Sequence, residues 1–213
     1  MDTMHQVSSD VAFTPSVKAI QERKGSRRSY SRMEERGGWA TAITPDLKEF
    51  IEKQISVFLA TANAEGQPYV QHRGGPPGFL RVINENTLGF VDFVGNRQFI
   101  SQGNLVENDK AHLFLIDYGS RSRVKIWGTA SFVESDHELV DQLMPKDYAA
   151  RPEQVLLFNV SAWDANCPQH IPLRFEAAEV LKAIETRDSR IKELEAEIAA
   201  LKAAPNNLDR NTK

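Results

Sequence analysis

Short apolar runs, each followed by a polar turn, fill residues 56–133 and limit the folds open to this chain. Ser56–Ala62 (SVFLATA) has the length and the β-branched and aromatic content of a buried strand. Asn63, Ala64, Glu65 and Gly66 supply turn chemistry, and Pro68–Arg73 reads as the returning strand. Phe79–Ile83 and Thr87–Phe93 flank a second polar turn, Asn84 to Asn86. Lys110–Asp117 and Arg123–Val133 flank a third turn, Gly119 to Ser122, and Val155–Val160 is a later strand candidate. Some six or seven strands joined mostly as hairpins predict a mainly β fold with peripheral helices. An antiparallel barrel or sandwich suits this order better than a doubly wound sheet.

Helix signals punctuate the strands. Thr44 can cap a helix with Pro45 at its first position and Asp46 and Glu49 near its positive end. Leu47, Phe50 and Ile51 give that helix an apolar face. A second helix is expected from Arg97 to about Asn104–Val106. A third is expected after Ser135, with Ser135 and Glu138 as a capping box. From Ala177 to Leu201 a seven-residue spacing (Ala177, Val180, Ile184, Arg187, Ile191, Leu194, Ile198, Leu201) marks an amphipathic or coiled-coil helix, interrupted at Arg187. Four segments follow: a basic arm over 1–43, a barrel domain over 44–175, the helix over 176–204, and a mobile tail over 205–213.

Composition narrows the function classes. A net charge of -3 gives no overall reason to expect nucleic-acid binding. No apolar run approaches the roughly 20 residues of a membrane span. The polar start MDTMHQVSSD does not read as a secretory signal, and one cysteine permits no intrachain disulfide, so a cytoplasmic setting is expected. Cys167 and His170 are too few for a zinc site, which needs three protein ligands, so no metal is expected. No dinucleotide-binding or Walker-type glycine loop occurs.

Two clusters join a cation to flexible backbone at a strand end. In GNRQF, Asn96 can cap the helix expected from Arg97, so free amides and Arg97 would face an anion beside Phe93 and Gln98. In QHRGGPPGF, which opens on Gln71 and His72, Arg73 ends a strand and Gly74-Gly75 leaves room for a flat ligand against the backbone. Further on, Arg123 and Lys125 share one face of a strand, and Gln169 and His170 sit in the segment NCPQHIP.

These strings resemble the pyridoxamine 5'-phosphate oxidase-like family of FMN-binding split-barrel flavoproteins. The resemblance is carried by ATANAEGQPYVQHR at 60–73, DFVGNRQF and GNLVEND within 92–109, and SRVKIWGTASFV at 122–133. The arm QERKGSRRSYSRME, the loop QHRGGPPGF and the segment WDANCPQHIP place the chain near a bacterial subgroup of that family.

The resemblance implies a six-stranded antiparallel split barrel with Greek-key connections, forming a homodimer with FMN at the interface. It implies a phosphate held by Arg73, Asn96 and Arg97, with Arg123 near the flavin ring. Gln98 stands where the oxidases carry a lysine. Gln71, His72, Phe93, Asn104, Lys125, Gln169 and His170 complete the expected cofactor contacts. The oxidases end in a segment that grips pyridoxal, and this chain has a heptad helix there instead, so vitamin B6 oxidation is not inferred. The expected function is FMN-dependent electron transfer between a reduced nicotinamide or small substrate and an acceptor. A non-catalytic flavin-binding or sensing module, or a barrel holding heme or a deazaflavin, are the alternatives.

Overall fold

A computed structural model describes residues 7–166 and 168–203. Its elements, in chain order, are α1 (Pro15–Lys24), α2 (Arg27–Glu34), α3 (Pro45–Lys53), β1 (Ser56–Ala62), β2 (Pro68–Gly74), β3 (Arg81–Asn84), β4 (Thr87–Phe93), α4 (Ile100–Glu107), β5 (Lys110–Asp117), β6 (Ser122–Val133), α5 (His137–Leu143), β7 (Pro152–Asn166) and α6 (Ala177–Ala203). The described chain forms two compact units, the second made of Tyr118–Ser120 and the chain from Pro172 onward. Cys167 and the expected tail lie outside the described residues.

The first unit is one antiparallel sheet in the order β2-β1-β5-β6-β7-β4-β3. It has seven strands, within the six or seven read from the hairpin runs and one more than the resemblance implies. The sheet rolls up, because side chains from strands far apart in that order share one core. Val57 and Leu59 (β1), Leu88 and Phe90 (β4), Leu113 and Leu115 (β5), Val124 and Ile126 (β6), and Leu156 and Phe158 (β7) all belong to it. Alternation along each strand does the sorting: β1 buries Val57, Leu59 and Thr61 and leaves Ser56, Phe58 and Ala60 half-buried outside. A smaller cluster on the other face of β4 packs Val91 against Leu143 of α5 and Val155 of β7.

Several boundaries differ from expectation for local reasons. β3 begins at Arg81 because Phe79 and Leu80 are already packed in the core as the loop arrives. β7 begins at Pro152, earlier than the expected Val155, and runs to Asn166 through a register shift opposite Trp127 and Gly128. That shift admits only glycine at 128, since a Cβ there would collide with the Asn159 carbonyl and stand 2.7 Å from the Phe158 ring. α5 is capped by Asp136, whose side chain accepts from the Leu139 N–H, while Ser135 takes a left-handed φ of 60° and makes no capping box. α3 is as expected: Thr44 Oγ1 accepts from Leu47 N–H at 3.2 Å, and Leu47 and Ile51 are buried.

The arm contains two α-helices, α1 and α2, and aromatic packing holds it. Phe13 packs against Tyr30 and Trp39, and Trp39 stacks on Trp127 of β6 with centroids 4.6 Å apart. Trp163 N–H donates to the Ala40 carbonyl, and the Trp163 ring N–H to that of Ala42. The arm therefore covers the outer face of β6 at Trp127 and pairs with the edge of β7 at Trp163. In the second unit, α6 has no buried residue over its whole length.

Candidate functional site

Register decides which side chains of β2 can meet a ligand. Tyr69, Gln71 and Arg73 pair with Thr61, Leu59 and Val57 and so face the barrel interior with them. His72 pairs with Phe58 and faces outward, where its Nε2 lies 2.9 Å from Ser56 Oγ. On the far side of the roll, β4 and β7 turn Asp92 and Gln154 inward, and both are buried.

These inward polar groups meet at one mouth of the barrel. Arg73 Nη1 lies 3.1 Å from Asp92 Oδ1, and the Gln154 amide donates to Asp92 Oδ2 at 3.2 Å. Burial pushes the Asp92 carboxyl above the usual carboxylate range; Arg73 and Gln154 pull it back, and Glu153 adds to the rise. The Nε of Arg73 is buried with no hydrogen-bond partner.

Helix α4 closes this mouth. Ser101 Oγ donates to Gln71 Oε1 at 3.1 Å, the Asn104 amide to Thr61 Oγ1 at 3.0 Å, and the Asn108 amide to the Ala62 carbonyl at 3.3 Å. The helix begins at Ile100, three residues later than expected. Asn96 does not cap it: Asn96 Oδ1 accepts from Gln98 N–H at 3.3 Å within the preceding loop. Arg97 and Phe99 both adopt left-handed backbone, with φ of 58° and 54°, and Phe99 at the N-cap supplies no side-chain bond to the first turn.

The result is a polar cavity of about 250 Å³. Gln71, Arg73, Phe93, Asn96, Arg97 and Gln98, all expected site residues, line it. Tyr69, Asp92, Ser101, Gln102, Phe132, Glu153 and Gln154 line it too and were not foreseen. One signal was available: Asp92 is the only charge in the strand TLGFVDF, and an isolated charge in an apolar strand calls for a partner. Glu153 and Gln154 were hidden because β7 was expected to start after them.

The other expected residues lie elsewhere. Asn104 is engaged with Thr61 beneath α4. Arg123 and Lys125 stand on the outer face of β6, where Lys125 is 2.9 Å from Asp164 and its ammonium lies over the rings of Trp127 and Trp39. Gln169 and His170 are exposed, with His170 at a φ of 65°. The room expected beside Gly74 and Gly75 is filled by the chain itself. A Cβ at Gly75 would stand 2.6 Å from that of Phe79, and one at Gly74 3.1 Å from the Ile55 carbonyl. That loop is instead a packing device, tied by Gly75 N–H to the Ile55 carbonyl and Gly78 N–H to the Glu52 carbonyl.

The sequence profile of the pyridoxamine 5'-phosphate oxidase family matches residues 43–167, more than half of the chain. The chain belongs to this family. No curated protein matches it. Among solved structures, this family member is similar to HupZ of Group A Streptococcus, with 18% identity and a TM-score of 0.46 over 62% of this chain and 99% of that one. It is similar to an FMN-binding protein of Syntrophomonas wolfei, with 15% identity and a TM-score of 0.42 over 68% and 97%. It is also similar to HutZ, a heme storage protein of Vibrio cholerae, with 21% identity and a TM-score of 0.37 over 56% and 89%. Among the described residues of this oxidase-family chain, no helix is long and apolar enough to cross a membrane, and no group of three metal-ligating side chains occurs.

Proposed function

We propose that the mouth cavity holds the phosphate end of FMN and that the protein is a flavin-dependent oxidoreductase. The observation that carries this reading is a convergence. The N-terminus of α4, without a side-chain cap, opens on the same cavity as Arg73 and Arg97. Amides of a first helical turn and guanidinium groups are complementary to a phosphate. Arg97 pairs with Glu153 at 3.2 Å but is 64% exposed, so it can exchange that carboxylate for a phosphate at little loss. The unpartnered Nε of Arg73 adds a donor on the same side chain.

The cavity is smaller than the roughly 300–1,000 Å³ of pockets that enclose whole ligands. In this reading the phosphate and part of the ribityl chain enter it and the ring lies outside the mouth. Arg123, Lys125, His72, Gln169 and His170 would then meet the ring only across a homodimer interface. The flavin would supply the redox chemistry, accepting a hydride from a reduced nicotinamide or small substrate and passing electrons to an acceptor. The residues of the chain hold the phosphate, orient the ring and exclude water.

A second reading, a non-catalytic flavin-binding module, is favoured by one feature. Asp92, the carboxylate buried in the cavity, is held by Arg73 and the Gln154 amide, so it is not placed as a free base. The absorbance spectrum of the purified protein and its rate of NADH or NADPH oxidation separate these readings. Oxidised-flavin bands with turnover above that of free FMN are expected. Flavin bands with turnover no faster than free FMN would leave the binding module, and a Soret band would remove FMN altogether.

A further inference from the structure

Helix α6 carries an unpartnered apolar seam along about 30 Å. Val180, Ile184, Ile191, Leu194 and Ile198 are each 40–50% exposed, and Leu201 is 75% exposed. They recur in a seven-residue spacing, with Ile184, Ile191 and Ile198 at the first core position and Val180, Leu194 and Leu201 at the second. We propose that α6 pairs with α6 of a second copy of this chain as a parallel, in-register, two-stranded coiled coil. The pairing does not depend on what the barrel binds.

Three observations favour that occupant. Isoleucine at the first core position with leucine at the second is the pattern of parallel dimers. An apolar groove is lined by Phe175 and Glu179 together with Val180, Ala183, Ile184 and Arg187. The last four positions form the hole into which Ile184 of a parallel second copy would insert. The flanking charges are complementary only in this direction. In parallel register Arg190 faces Glu195 of the second copy, and Glu197 faces its Lys202. An antiparallel pairing centred on the same seam sets Asp188 against Asp188 and Arg190 against Arg190, which repel. Arg190 now bonds Glu193 on its own helix at 2.8 Å, an exposed contact that is readily exchanged. Arg187, the one charge in the seam, would lie beside Asp188 of the second copy.

Disulfide trapping in the full chain tests the proposal. Cys167, the sole cysteine, is replaced by serine, and Leu201→Cys or Glu193→Cys is introduced. Both positions are exposed, so neither substitution disturbs a core. Under mild oxidation Leu201→Cys should form a linked dimer at least about tenfold more efficiently than the outward-facing Glu193→Cys. Arg190→Glu should reduce linking through Leu201→Cys, and adding Glu195→Arg should restore it. Absence of linking at both positions, equal linking at both, or no rescue by the charge swap would overturn the parallel pairing.

Discussion

Arg73 and Asp92 form an ion pair at 3.1 Å although β2 is the first strand of the sheet order and β4 the last but one. The pair spans the two ends of the rolled sheet, and its side chains are only 18% and 9% exposed. Removing one partner leaves a buried charge unpaired, which costs far more than losing a surface pair. Arg73→Ala should lower stability by about 3 kcal/mol, measured by urea unfolding of the cofactor-free protein. A loss under about 1 kcal/mol would mean the pair behaves as a solvated one.

The raised proton affinity of Asp92 has a definite pH signature. The folded state holds that proton more tightly than the unfolded chain does. The contribution is therefore fully present below the ordinary carboxylate range and is lost as pH rises through the raised value. The stability of the native protein relative to Asp92→Asn should accordingly fall as pH increases from about 4. A difference that stays flat or grows over mildly acidic pH would show that Arg73 outweighs burial.

His112 titrates with the opposite sign. It lies on the outer face with its ring 4.9 Å from that of Trp127, and burial, helped by Lys125, depresses its pKa to about 4. Its contribution is complete above the unfolded value of about 6.5 and is lost as pH falls toward the folded one. His112→Phe should flatten the stability profile between about 6.5 and about 4, followed by thermal unfolding across that range.

Arg97 is a cleaner probe of the proposed phosphate site than Arg73, because its side chain is 64% exposed against 18% for that of Arg73. Arg97→Ala should weaken FMN by about 1–3 kcal/mol and leave the unfolding midpoint nearly unchanged. FMN fluorescence titration gives the first quantity, and unchanged affinity would remove Arg97 from the site.

Gly128→Ala tests the bulge between β6 and β7. The added methyl meets a backbone carbonyl, which cannot rotate away as a side chain would. A loss of about 3 kcal/mol is expected, read by urea unfolding; a neutral substitution would show that the register shift can relax.

Local chemistry made much of this protein legible in advance. The runs SVFLATA and TLGFVDF matched their strands end to end, because alternation and turn residues act over a few neighbouring positions. The Thr44 cap and the helix from Ala177 rest on equally local signals. Six of the residues expected to hold a ligand converge on one cavity. What the tertiary structure alone decided is non-local. Asn96 would cap a helix in isolation, yet the chain must first pass Arg97 and Phe99 in left-handed backbone before α4 can seat Ser101 against Gln71. Rolling the sheet brought Asp92, Glu153 and Gln154 to Arg73 and Arg97, and set His72 and Lys125 on the opposite side of the wall. Strand pattern tells which residues share a face, but which faces meet depends on sheet curl and strand order. Those are settled by the shared core and not by any residue's neighbours in the chain.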